Sequence, residues 1–172
     1  MVIDLQEKFA PVIHDWDSVL GASTRLIRFF HLLQAPIVVT EQYPKGLGKT
    51  VRQIRDSLGD SGFSMSEKML FSACETAGLK QVIRKKRRRQ WIVCGIESHV
   101  CVQQTALDMR DSGLEVFLAV DAVGSRHPTD RYIALERMTR AGAILSTSES
   151  LIFEILRDAR HPLFKRAAAI VR

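Results

Sequence analysis

The sequence predicts an α/β protein built on a mostly parallel six-stranded sheet. Three features carry that prediction. Short apolar runs rich in β-branched residues recur along the chain, amphipathic helical stretches separate them, and glycines close several of those stretches. The order strand, helix, strand repeated along 172 residues is the pattern of a parallel sheet covered by its own crossover helices.

The elements follow in order. Met1 to Leu5 is an apolar strand that already contains Asp4. So little chain precedes Asp4 that either this strand is unusually short or the natural start lies upstream. Asp15 to Leu33 carries Leu20, Ile27, Phe30 and Leu33 at helical spacing. Pro36 to Thr40 is a short buried strand, and Glu41 to Gly48 a polar, glycine-bearing loop within a longer connection that reaches Gly62. Phe63 to Lys68 is a weaker, partly polar strand, and Glu75 to Arg84 a helix. Trp91 to Ile96 is a fully apolar fourth strand, followed by a helix over Val102 to Ser112 that stops at Gly113. Glu115 to Asp121 is the fifth strand, Thr129 to Ala141 a helix ending at Gly142, and Ala143 to Ser146 the sixth strand. Helices over Ser148 to Arg157 and Pro162 to Val171 close the chain, the first with a hydroxyl N-cap in Ser146-Thr147-Ser148-Glu149. No repeat, low-complexity linker or internal boundary interrupts residues 1–172, which read as a single domain.

Composition narrows the function classes. A hydrophobic share of 46% and a charged share of 26% are those of a soluble globular protein. Three cysteines without regular spacing point to a reducing compartment, and no apolar run reaches a membrane span, so the expected location is cytoplasmic with no membrane partner. The formal net charge of +6 is local. Taking the six consecutive cations Arg84 to Arg89 from the 25 basic residues leaves as many as the 19 acidic ones. That run reads as a solvated turn. It lacks the aromatic interleaving of a nucleic-acid surface, so nucleic acid is not an expected partner.

Chemistry concentrates at strand ends. In open parallel sheets, ligands bind beyond the carboxyl ends of the strands, near the switch point in strand order. Asp4 follows the first strand, Lys68 ends the third, and Cys101 lies where the fourth strand gives way to a helix. Each has a plain alternative taken alone: a loop-capping aspartate, a solvated lysine, a packing cysteine. Together they form a coherent set, since a carboxylate can take a thiol proton while an ammonium favours both anions. Free N–H groups at the helix start favour a thiolate or an oxyanion. With a cation beside it, the thiol pKa is expected to fall into the range of about 3.5–7.5. Cys94 and Cys74 read as buried packing residues. The histidines at 14, 31, 99, 127 and 161 show no ligand spacing, so neither metal nor cofactor is expected.

At these residues the chain resembles the isochorismatase-like cysteine hydrolases. The resemblance rests on Ile3-Asp4-Leu5-Gln6-Glu7-Lys8-Phe9, on Glu67-Lys68 with Phe71-Ser72-Ala73, and on Gly95-Ile96-Glu97-Ser98-His99-Val100-Cys101-Val102 with Thr105, Ala106 and Asp108. Val120-Asp121-Ala122 with Ser125 and Leu145 to Glu149 also fit. Within the family it is most similar to the isochorismatase domain-containing proteins, through Thr40 to Gly48 and His161 to Lys165.

The resemblance implies a three-layer α/β/α fold and an Asp4-Lys68-Cys101 triad. It further implies backbone N–H groups of Glu97 and Cys101 as oxyanion donors, with a cis peptide between Ile96 and Glu97. Gln42, Tyr43 and Phe71 are expected around a small-molecule substrate, and a homo-oligomer is expected because relatives commonly assemble. Glu41-Gln42-Tyr43 lacks the histidines that hold a metal in nicotinamidases. The presence of Cys101 turns the expectation away from isochorismatase chemistry proper and towards amide or related acyl C–N bonds, through a thioester. The competing reading is a catalytically weak interaction or oligomerisation module on the same fold.

Overall fold

The computed structural model describes residues 1–60, 62–76 and 88–172. Six parallel strands form one sheet: β1 (Val2–Ile3), β2 (Ile37–Gln42), β3 (Phe63–Lys68), β4 (Gln90–Ile96), β5 (Glu115–Gly124) and β6 (Ile144–Ser146). Their order is β3-β2-β1-β4-β5-β6, so the connections reverse direction between β1 and β4. In parallel sheets such a switch point is where ligands bind, beyond the carboxyl ends of the strands.

Strand alternation divides the core into two halves. Val2, Ile37, Val39, Cys94, Ile96 and Ala119 face one side, where α1 (Trp16–Leu32), α6 (Ser148–Leu156) and α7 (Phe164–Val171) pack. Ile3, Val38, Trp91, Val93, Val116 and Leu118 face the other, against α4 (Gln103–Asp111) and α5 (Pro128–Arg140). Burial on both faces explains why these strands read as unbroken apolar runs. The short α2 (Pro44–Leu47) and α3 (Arg52–Leu58) lie in the connection from β2 to β3.

Several boundaries differ from the sequence reading. The first strand is two residues long, because Asp4 turns into the left-handed region (φ 52°) and leaves the ladder. The second runs on to Gln42, held by pairing of Glu41 and Gln42 with Glu67 and Lys68 on β3. The expected loop to Gly62 contains α3, whose two buried residues, Ile54 and Leu58, give too weak a stripe to stand out. The fifth strand extends three residues beyond Asp121, and its register against β4 shifts between Val93 and Gly95. A π-helical turn, Ser98–Val102, precedes α4, so Cys101 sits inside that turn. The helix expected over Glu75 to Arg84 falls mainly outside the described residues, whose last turn before the gap is a 3₁₀ segment, Ala73–Glu75. Of the basic run only Arg88 and Arg89 are described, and both are exposed.

Gly95 sets how closely β4 lies against β1 at the switch point. It adopts φ 118°, and a Cβ there would lie 2.0 Å from the Ile3 carbonyl oxygen. Only glycine allows β4 to approach β1 this closely.

Candidate active site

Asp4, Lys68 and Cys101 come together at the carboxyl edge of the sheet, at the switch point. Asp4 leaves β1 with its N–H bonded to the Thr40 carbonyl (3.1 Å), and its Oδ1 accepts from Thr40 Oγ1 at 2.6 Å. Lys68 Nζ lies 2.7 Å from Asp4 Oδ2, and both side chains are essentially sealed from solvent, at 0% and 1% exposure. Composition favours a solvated lysine; the packing makes Lys68 half of a buried ion pair. Such a pair persists only when the remaining polar atoms are also satisfied. Here the ammonium donates to Gln42 Oε1 (2.6 Å) and the Phe71 carbonyl (3.0 Å), with the Leu70 carbonyl at 3.4 Å.

Gln42 therefore stands beneath the ammonium. Its Nε2 donates to the Met69 carbonyl (2.8 Å), and its backbone is clasped by Gln6, which accepts from Gln42 N–H (2.7 Å) and donates to its carbonyl (2.9 Å). With both ends of its amide committed, Gln42 orients Lys68. Tyr43 and Phe71 are about half exposed at the rim. Tyr43 holds a positive φ of 38°, and its ring lies over Gly46, where a Cβ would come within 2.2 Å of it.

Cys101 is 6% exposed and within reach of both charges of the pair. Its thiol behaves opposite to the expectation of a lowered pKa. Burial pushes it up to about 12, the Asp4 carboxylate adds to the rise by charge and hydrogen bond, and Lys68 pulls against both. Burial thus favours the protonated thiol over the thiolate. Sequence reasoning counted the helix start and the lysine and missed desolvation, which no local pattern reports.

The thiol turn is braced by residues that the residue-level reading left without a role. Thr105 Oγ1 donates to the Cys101 carbonyl (2.6 Å) and accepts from Ala73 N–H (2.9 Å). Ser72 Oγ donates to Asp108 at 2.5 Å. These bonds tie α4 to the loop whose carbonyls hold Lys68. Ser98 Oγ donates to the Gly124 carbonyl (3.0 Å), and the Ile96–Glu97 peptide is cis, as the resemblance implied. Polar residues in apolar surroundings, such as Thr40 and Thr105, are the signal that could have found this scaffold.

The isochorismatase-domain profile matches residues 1–150 of the chain. Mouse isochorismatase domain-containing protein 2A is 42% identical over 169 residues, which cover 98% of this chain and 80% of the mouse protein. The chain belongs to the isochorismatase family. Family membership brings a hydrolase-type α/β fold, and solved structures agree. One from Caenorhabditis elegans, described as a MAR1 ribonuclease, superposes with a TM-score of 0.94 at 42% identity, covering 99% of this chain and 86% of that one. The octameric hydrolase YcaC of Escherichia coli shares the isochorismatase-like fold at a TM-score of 0.88 and 23% identity, covering 98% and 82%. Among the described residues, no group of three or more His, Cys, Asp or Glu side chains is placed to hold a metal, and no helix is long and apolar enough to cross a membrane.

Proposed function

We propose that the protein hydrolyses a small amide or related acyl C–N bond through Cys101, with Asp4 as the proton carrier and Lys68 as the charge that keeps Asp4 in place. One observation carries this reading: a buried carboxylate–ammonium pair, 2.7 Å apart, lies against a buried thiol at the switch point of a parallel sheet.

The raised thiol dictates how the reaction runs. Losing the Cys101 proton to solvent would put two anions beside one ammonium. Passing it to Asp4 keeps a single negative charge next to Lys68 throughout. So Sγ attacks the carbonyl carbon as its proton moves to Asp4. The C–N bond then breaks while Asp4 returns that proton to the departing amine. Water adds to the thioester, its proton again taken by Asp4, and the C–S bond breaks to release the acid and restore the thiol. Backbone N–H groups of Glu97 and Cys101 hold the oxyanion, each worth roughly 2.7–4 kcal/mol. Tyr43 and Phe71 form the lip over the substrate, with Gln42 beneath the ammonium. Residues 1–172 act as one domain without cofactor or metal, in the cytoplasm and as a homo-oligomer.

The test is acyl-enzyme trapping. Rapid quenching with a panel of small amides, read by intact mass, is expected to show a thioester on the wild type. Cys101→Ala shows none, and Asp4→Asn slows its formation by about 10³-fold or more. Full turnover by Cys101→Ala would sink the covalent scheme.

A second reading follows from the description of the C. elegans relative as a ribonuclease. The burial of Asp4, Lys68 and Cys101, none above 6% exposed, favours a small substrate over a polynucleotide. Metal-free cleavage of RNA by the purified chain, lost in Asp4→Asn, would reverse that preference.

A further inference from the structure

Thr40 follows the apolar run Ile37-Val38-Val39 in β2, an inner strand of the sheet, and is fully buried. A valine would suit this place by shape and strand preference. A buried hydroxyl costs free energy unless it is bonded. Among the described residues the Thr40 hydroxyl has one partner, Asp4 Oδ1 at 2.6 Å. The backbone makes a second tie, since Asp4 N–H donates to the Thr40 carbonyl at 3.1 Å. The carbonyl fixes the residue as it leaves β1, and the hydroxyl fixes its carboxyl group.

The two oxygens of that carboxyl group are thereby made unequal. Oδ1 is taken by a hydroxyl aimed at it. Oδ2 lies 2.7 Å from Lys68 Nζ, yet the ammonium meets it as a charge. The directed bonds of Nζ run to Gln42 Oε1 (2.6 Å) and the Phe71 carbonyl (3.0 Å), and among the described residues no hydrogen-bond donor is aimed at Oδ2. Oδ2 is therefore the oxygen open to a proton. On taking one it becomes the hydroxyl of a carboxylic acid, and Oδ1 becomes the carbonyl oxygen, which still accepts from Thr40. The Thr40 bond serves both protonation states, so no partner has to turn as the proton arrives or leaves.

We propose that Thr40 is a positioning residue: by holding Oδ1 it assigns proton transfer to Oδ2 of Asp4 and aims that proton at the departing nitrogen. This rests on the reading of Cys101 as the reacting sulfur and of Asp4 as its proton carrier. Attack moves the thiol proton to Oδ2 as the Sγ–C bond forms. Cleavage of the C–N bond moves it from Oδ2 to the nitrogen, and the amine leaves neutral. A carboxyl group free to turn about Cβ–Cγ would still take up a proton, but would not hold it towards the nitrogen. Aim matters most where the leaving group cannot depart without that proton.

p-Nitrophenyl acetate and p-nitroacetanilide separate these steps, since both place an acetyl group on Cys101. The C–O bond of the ester breaks to release p-nitrophenolate as an anion, with the thiol proton left on Asp4. The C–N bond of the anilide breaks as the nitrogen takes the proton from Asp4. Acetylation of Cys101 in the full chain, with enzyme in excess, is followed by released chromophore and by peptide mass. Thr40→Val is expected to lower the anilide-to-ester rate ratio about tenfold. Thr40→Ser, which keeps the hydroxyl, is expected to retain most of it. A purely structural role for Thr40 would slow both reagents alike. An unmoved ratio with Cys101 still acetylated overturns the inference and leaves the nucleophile standing. Acetylation of the wild type by the ester alone overturns the inference together with the amide reading, and acetylation by neither overturns the thioester as well. If Thr40→Val does not fold, the same ratio in Thr40→Ala against Thr40→Ser decides.

Discussion

The two edges of the sheet are built on opposite principles. At the amino edge a cavity of about 990 Å³ opens among Leu26, Ile27, Phe30, Trp91, Phe117 and Ile155, apolar side chains with charged residues at the rim. At the carboxyl edge Asp4, Lys68, Gln42, Glu97 and Cys101 are all buried within a few strands of one another. The amino-edge cavity keeps its charged residues at an open rim, whereas the carboxyl edge concentrates charge where water is excluded. The proposed site is marked by buried charges facing one another, and cavity volume alone would not have pointed to it.

That contrast can be broken most forcefully at the ion pair. Asp4→Ala or Lys68→Met alone strands a buried charge and is expected to cost about 3–5 kcal/mol in denaturant unfolding. The double variant should recover much of that loss. Equal, additive losses would mean that the two groups do not depend on each other, and the carboxyl edge would lose its distinction.

Next in size is the brace behind the thiol. Thr105→Val removes the bond to the Cys101 carbonyl and leaves the buried Ala73 N–H without its acceptor. A loss of about 1–3 kcal/mol is expected, with slower alkylation of Cys101. Unchanged stability would show that α4 and the Lys68 loop are held by packing alone.

The pH dependence of alkylation sharpens the electrostatic side. With the thiol at about 12, wild-type labelling should climb without a plateau through the ordinary thiol range. Asp4→Asn removes a charge that raises the thiol, so its profile should move to lower pH; Lys68→Met removes the opposing charge and should move it higher. Shifts of about one unit or more, near 1.4 kcal/mol each, are expected. A wild-type plateau below about pH 7 would mean a preformed thiolate. The smallest effect belongs to the amino edge. Ile155→Ala, at a residue 40% exposed, should change stability by no more than about 0.5 kcal/mol and leave the alkylation profile untouched.

Much of this contrast was legible in the residues. Apolar runs such as Trp91 to Ile96 identified strands because they are buried on both faces, and that burial is written locally in side-chain type. Asp4, Lys68 and Cys101 stood out because each lies at a strand's carboxyl end, a position set by chain order. Arg52–Leu58 was missed because two buried residues do not make a visible stripe, and the short first strand because nothing in Met1 to Leu5 announces the left-handed turn at Asp4. Gln42 was taken as a substrate neighbour; its commitment to Lys68 depends on the pairing of β2 with β3 and on the clasp from Gln6.

The sequence by itself determined the alternation of strands and helices, the family, and which acid, amine and thiol share one edge of the sheet. Each of these follows from the type and order of residues. Only the tertiary structure decided that Lys68 is sealed against Asp4, that burial pushes the Cys101 thiol up, and that Arg126 pairs with Glu97. Solvation and charge partners are properties of the surroundings, and the surroundings of these side chains are assembled from segments far apart in the chain.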